Sequence, residues 1–233
     1  MPSSISFTGS DRDLGPGAIR LSETDGTPPK NYRTRQSGIF ATRKAVEGQA
    51  RWYREIDRDF MYLLQADPAV IRFKSRAHVA HYVVNGEPTS HVVGFIVQAE
   101  AATYAVDIID TRQRPKVRYC DIELLTTAYG QLGIDYRCLD DRFVHLEPRF
   151  KNAVELNRWK NAPLNLASEL SIIEAISNGA NTVGKVIQAI GATEVAGLAH
   201  VYGLVLKGKL RLSMGQPLSV NTSVRLVTGK KTL

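Results

Sequence analysis

The sequence predicts an α/β (α+β) protein in which a mixed sheet is flanked by helices and followed by a small winged-helix domain. Three observations carry this. Apolar residues recur at helical spacing up to Leu64 and then alternate in short β-branched and aromatic runs from Val70 to Ile109. A helix, a strand and a further helix follow between Asp121 and Trp159. After Asn161-Ala162-Pro163 the spacing becomes purely helical, then ends in two short alternating segments.

The first element is a helix read over Gly48 to Leu64, with Trp52, Ile56, Phe60, Leu63 and Leu64 on one face and Trp52 in the core. It stops before Asp67-Pro68, because proline cannot continue it. Strands are expected at Val70 to Phe73, His78 to Val84, His91 to Gln98 and Tyr104 to Ile109, with Asn85-Gly86 turning a hairpin. His78 and His81 are read as strand surface. Asp121 to Leu132 is a helix ended by Gly133, Tyr136 to Leu139 a strand, and Glu147 to Trp159 a helix. Helices at Ser168 to Ile176, Thr182 to Ile190 and Thr193 to Leu206 come next, with Thr182 and Thr193 as N-caps. Strands at Lys209 to Leu212 and Ser223 to Val227 complete a winged-helix order. Residues 1–36, rich in Ser, Gly, Pro and mixed charge, are expected to be a disordered arm, 37–161 the sheet domain and 162–233 the winged helix.

Composition bounds function loosely. Of 233 residues 43% are hydrophobic and 23% charged, as in an ordinary globular protein. Lys and Arg number 30 against 23 Asp and Glu, so the net charge is +7, a balance that favours polyanions, nucleic acid first. No run approaches the roughly 18 apolar residues of a membrane span, and MPSSISFTGSDRD lacks the basic and apolar regions of a leader, so no membrane partner and a cytoplasmic location are expected. Cys120 and Cys138 match no metal or redox spacing and are read as small buried hydrophobes. The five histidines show no zinc spacing, and no phosphate-cradling glycine loop or nucleophile elbow is evident.

An ordered set of segments resembles the TnsA-type endonucleases of bacterial transposons. Arg43-Lys44 and RWYREIDRDFMYLLQADPAVIRF from Arg51 are followed by GFIV at Gly94, GIDYRCLDDRFV at Gly133, NAVELNRWKNAPL at Asn152, and the segment through Arg225-Leu226; together they span residues 38–228. The resemblance implies a restriction-endonuclease-like N-terminal domain with a C-terminal winged helix. It also implies metal-dependent phosphodiester hydrolysis, in which carboxylates hold Mg²⁺ to polarise the phosphate and acidify a water while a lysine orients that water. The implied pattern is a helix acid, a strand-end Asp, and an acid two residues before a Lys on the next strand.

Carried onto this sequence, the helix acid falls on Asp57, with Glu55 as the alternative. The strand-end Asp falls on Gly94, the next acid on Asp107 and the lysine on Ile109. A glycine ligates nothing, and 107 and 109 share a strand face, so an aliphatic group stands where the ammonium belongs. The pattern is thus degenerate, with no catalytic set intact and no cofactor expected. Asp57 and Asp107 would be metal ligands, with Mg²⁺ as cofactor, only if a rearranged PD-(D/E)xK site still cuts DNA; Glu100, Asp110, His91, Lys74 and Lys116 lie near enough in sequence to substitute.

DNA contacts are expected from Arg43, Lys44, Arg51 and Arg54, and from Lys207, Lys209 and Arg211 of the wing. The third winged-helix helix, TEVAGLAHVYGLVL, has little to read base edges with, so this domain docks either DNA or protein. The function expected is a catalytically inactive TnsA-like DNA-binding protein of a transposition or other recombination system. The alternatives are an active endonuclease with a rearranged centre and a protein-interaction scaffold without DNA binding. The resemblance implies a bacterial source and, as companions, a DDE-type transposase and an AAA+ ATPase regulator.

Overall fold

The structure is a computed structural model that describes residues 19–24, 37–84, 86–111 and 119–227. Its contacts divide into two compact units, one of residues up to Arg58 with Ile71–Phe143, the other of Asp59–Val70 with the chain from Val144 onward. The expected boundary at residues 161/162 therefore moves to Phe143/Val144. The physical reason is visible in the helix before it: Trp159 packs edge-on against Tyr202, with ring centroids 6.2 Å apart, within the second unit.

The first unit is built on a mixed sheet. Strands β1 (Ile19–Glu23), β4 (Val70–Val84), β5 (Glu87–Ala99), β6 (Thr103–Ile109) and β7 (Asp135–Asp140) lie in the order β1-β4-β5-β6-β7. β1 runs antiparallel to β4 and β6 antiparallel to β5, whereas β7 is parallel to β6. A parallel neighbour requires a crossover, which is supplied by helix α2 (Tyr119–Gln131). Gly133 then turns the chain at φ 69°, a conformation only glycine adopts without strain. Leu125 and Tyr129 of α2 close one sheet face over Leu21, Ala80, Tyr82, Val93, Ala105 and Tyr136.

Three expectations change here. Ile19–Glu23, assigned to the disordered arm, is an edge strand with Leu21 buried; residues 1–18 and 25–36 lie outside the described residues. The runs at 70–73 and 78–84 are one strand, since neither glycine nor proline interrupts them, although Arg76 sits at φ 50° within it. The helix begins at Glu55, not Gly48, as α1 (Glu55–Ala66). Before it, β3 (Gln49–Trp52) pairs antiparallel with β2 (Gly38–Ala41). Ala50 is buried between exposed Gln49 and Arg51, a period of two that overrides the helical spacing, and Trp52 is half-buried against Gly38, where a Cβ would come within 2.7 Å of its ring.

In the second unit α3 (Asp141–Val144) contributes its last residue, and α4 (Arg149–Arg158), α5 (Leu166–Ser177), α6 (Val183–Ala189) and α7 (Glu194–Leu206) follow. The ribbon β8 (Leu210–Leu212) and β9 (Val224–Leu226) completes the winged-helix order. Thr182 caps α6 by accepting from Lys185 N at 3.3 Å, whereas Thr193 makes no side-chain cap bond. α6 and α7 approach closely because Gly197 faces Ile187, where a Cβ would lie 2.5 Å from Cγ1. The loop after β8 is pinned by buried Asn152 of α4: its Nδ2 donates to the carbonyls of Met214 (3.2 Å) and Gln216 (2.8 Å), and its Oδ1 accepts from Leu218 N (3.1 Å). Among the described residues no single helix is long and apolar enough to cross a membrane.

Candidate functional site

The antiparallel register of β5 with β6, which pairs Phe95 with Val106 and Ile96 with Ala105, carries on to set Gly94 beside Asp107. Cross-strand partners share a sheet face, and the consequence is specific. Asp107 folds its carboxylate over the place a Gly94 side chain would fill: a Cβ there would meet Val106 O at 3.0 Å and Asp107 Oδ1 at 3.3 Å. Gly94 N instead donates to Asp107 Oδ1 at 2.7 Å. β7, parallel to β6 with Tyr136 opposite Ala105, brings the Tyr136 hydroxyl to Oδ2 at 2.8 Å. From β5, His91 Nε2 reaches the same oxygen at 2.8 Å.

Asp107 is only 4% exposed, and burial by itself would raise its pKa; the His91 charge and the bonds from His91, Tyr136 and Gly94 outweigh burial and hold the carboxyl below its usual range. An ionised carboxylate only accepts, so Nε2 of His91 carries the proton. Burial first, then the Asp107 charge, raises the Tyr136 and Tyr129 hydroxyls far above the ordinary tyrosine range, so both stay neutral. Tyr129 stacks on Tyr136 at 5.9 Å and its hydroxyl meets His78 Nδ1 at 3.1 Å. His78 is thus turned towards the core, not the strand surface, and burial lowers its pKa, with Glu23 opposing and Lys74 assisting. Cys138, half-buried on β7, has its thiol pushed up to about 11 by burial and by the charges of Asp107 and Asp140; the Cys120 side chain lies outside the described residues.

Asp57 is held differently. It lies in the first turn of α1, where a carboxylate is favoured by the helix dipole. Arg54 grips it in a fork: Nε lies 3.2 Å from Oδ1 and 3.1 Å from Oδ2, and Nη2 lies 2.5 Å from Oδ1. Its Nη1 donates to Ile108 O at 3.0 Å, tying the helix start to β6. Glu55 is exposed and Ile109 half-buried.

A divalent cation needs carboxylate lone pairs facing a common point. Here N–H and O–H donors face both oxygens of Asp107, a guanidinium faces Asp57, and Gly94 and Ile109 add no ligand. The residues present do not fit a Mg²⁺ centre, and among the described residues no three His, Cys, Asp or Glu side chains converge. Of the possible substitutes, His91 is the one that joins Asp107; Asp110 is buried, Glu100 is exposed, Lys74 lies 4.0 Å from Glu23, and Lys116 falls outside the described residues.

The basic residues divide. Arg43, Arg51 and Lys207 are exposed, as a phosphate contact requires. Lys44 is not: it is 8% exposed and its carbonyl accepts from Phe73 N, so its expected place facing phosphate is corrected to a buried one. Arg54 is committed to Asp57, and Lys209 to Glu169 on α5. Arg211 is half-buried and unpartnered among the described residues. At the start of α7 the exposed residues Glu194, Val195 and Ala196 include no Arg, Lys, Asn or Gln to pair with a purine edge.

Sequence reasoning missed the bond of His91 and Tyr136 to Asp107, and also a second, part-buried pair, Asp59 with His145 Nε2 at 2.9 Å, flanked by Phe150. The available signal for the first was Gly94 itself, a glycine amid β-branched residues that marks close approach. No family model matches the chain, and no curated protein does.

Proposed function

We propose that this is a TnsA-like DNA-binding protein of a bacterial transposition or recombination system, cytoplasmic, without cutting activity of its own. In this role it holds DNA ends for, or assembles with, a DDE-type transposase and an AAA+ regulator. One observation carries the reading: both acids that the cutting pattern retains, Asp57 and Asp107, are occupied by donors of the chain itself, so the framework outlives the chemistry. The net charge of +7 and the exposed Arg43, Arg51 and Lys207 support a polyanion as ligand.

The experiment is fluorescence anisotropy with a labelled duplex over a salt series, run beside a plasmid-cleavage assay in Mg²⁺ and in Mn²⁺. Affinity is expected to fall steeply with salt, as counterion release requires, and no product is expected with either metal. Absence of binding at about 50 mM salt would overturn DNA binding. Metal-dependent cleavage lost on Asp57→Ala or Asp107→Ala would show a working nuclease.

A further inference from the structure

We propose that Arg211 and Arg225 form a two-arginine clamp for a single backbone phosphate of duplex DNA, so that the second unit engages DNA through its wing. The inference rests on the DNA-binding reading and adds the site and its ligand chemistry.

In the ribbon, Arg211 stands directly opposite Arg225. Ser213 N donates to Ser223 O on one side of the pair and Val227 N to Lys209 O on the other, so the bonded positions alternate and Arg211–Arg225 falls on one. Such partners have Cα atoms about 5.5 Å apart and side chains on one face. The opposite face carries Leu210, Leu212 and Val224, all buried, so both arginine stems leave from the outer side.

Like charges directly opposed across a ladder repel. Proteins relieve this with an acid, and the neighbouring Lys209 does have one in Glu169. Arg211 and Arg225 have neither an ion pair nor a side-chain hydrogen bond among the described residues. An anion held between the two guanidinium groups reverses the sign of the interaction, and their planar N–H forks match phosphate oxygens. Ser213 and Ser223, exposed at the adjacent bonded position, place hydroxyl donors beside the pair. A phosphate of the duplex backbone is favoured because the exposed residues at the start of α7, Glu194, Val195 and Ala196, offer it no cation, whereas the wing does.

The test uses the full chain and the same labelled duplex, with Arg211→Ala, Arg225→Ala, the double alanine variant and the double lysine variant. Each single alanine variant is expected to lower affinity about tenfold and to make the slope of log K against log salt shallower by about one. The double alanine variant should fall little further, because both side chains serve one phosphate. The double lysine variant should keep the salt slope while binding more weakly, since lysine lacks the fork. Melting temperatures should stay level or rise in the alanine variants, as the opposed charges are relieved.

Unchanged affinity in both single variants, with wild type binding duplex, overturns the clamp and leaves the DNA-binding reading standing. Multiplicative losses with a slope change of about two overturn the shared phosphate. A lowered melting temperature assigns the arginines a structural role and also overturns it. If wild type binds no duplex, the clamp and the DNA-binding reading fall together. Inorganic phosphate is expected to raise the melting temperature of neither wild type nor the double alanine variant. A rise in wild type alone would assign the clamp to free phosphate and overturn the DNA assignment.

Discussion

Asp107 in the sheet and Arg211 with Arg225 on the wing are both charges placed on neighbouring strands, and their surroundings are opposite. Around Asp107 the two flanking strands contribute donors, Gly94 and His91 from β5 and Tyr136 from β7, so a buried charge is fully satisfied within the fold. On the wing two like charges face one another with no internal partner among the described residues. A charge whose partners are internal contributes to folding and is withdrawn from ligand chemistry. Two like charges opposed across a ladder repel in the free protein, and an anion bound between them reverses that. Residue type alone would have reversed the assignment, since the carboxylate belongs to the pattern that resembles a metal centre.

The sharpest way to break this contrast is Asp107→Ala. Removing the carboxylate strands the Tyr136 hydroxyl, the Gly94 N–H and His91 in the interior, and a loss of about 3–5 kcal/mol is expected by chemical denaturation. A loss under about 1 kcal/mol would show the centre to be structurally dispensable. Gly94→Asp, which supplies the strand-end acid that the resemblance to TnsA-type endonucleases leads one to expect, should cost about 1–3 kcal/mol and yield no metal-dependent cleavage. Its Cβ would press on Val106 O and on Asp107 Oδ1, so the new carboxylate meets an existing one before it meets a cation. Cleavage by that variant would show that only one ligand separates this fold from a nuclease.

Acid should weaken the first unit in two steps. His78 has its pKa lowered, so the unfolded chain binds the extra proton first, and this contribution is lost as pH falls below about 6.5 towards the lowered value. Asp107 is also lowered, so its contribution begins to fall only when pH drops into the ordinary carboxylate range, where the unfolded chain takes up the proton, and is lost as pH falls on through its own lowered value. Melting temperature measured from neutral to acid pH should therefore decline in that order, and His78→Gln should shrink the earlier step, to which His81, also lowered by burial, adds. An unchanged early step in that variant would move its origin away from His78.

The smallest effect is expected at Lys209. Its exposed ammonium already has Glu169, so Lys209→Ala should cost under about 1 kcal/mol in stability. It should change DNA affinity less than either arginine substitution, measured by the same anisotropy titration. A loss equal to that of Arg225→Ala would erase the distinction between partnered and unpartnered cations on which the contrast stands.

Much of this protein was determined by local sequence alone. The stop of α1 before Asp67-Pro68, the strands β5, β6 and β7, the glycine that ends α2, and the helices and ribbon of the second unit all follow from periodicity, capping and breaker residues. These are properties of a few adjacent residues, which is why they are legible one segment at a time.

What only the tertiary structure decided is partnership. That Gln49 to Trp52 forms a strand depends on Gly38–Ala41 arriving beside it, and that the helix at Arg149–Arg158 joins the second unit depends on Tyr202. That Lys44 is buried, Asp57 is gripped by Arg54 with a link to Ile108, and Asp107 is shared by His91 and Tyr136 depends on register and on residues up to 54 apart in sequence. Whether a charge is satisfied by its own chain is a matter of distance in three dimensions, and no spacing along the chain encodes it.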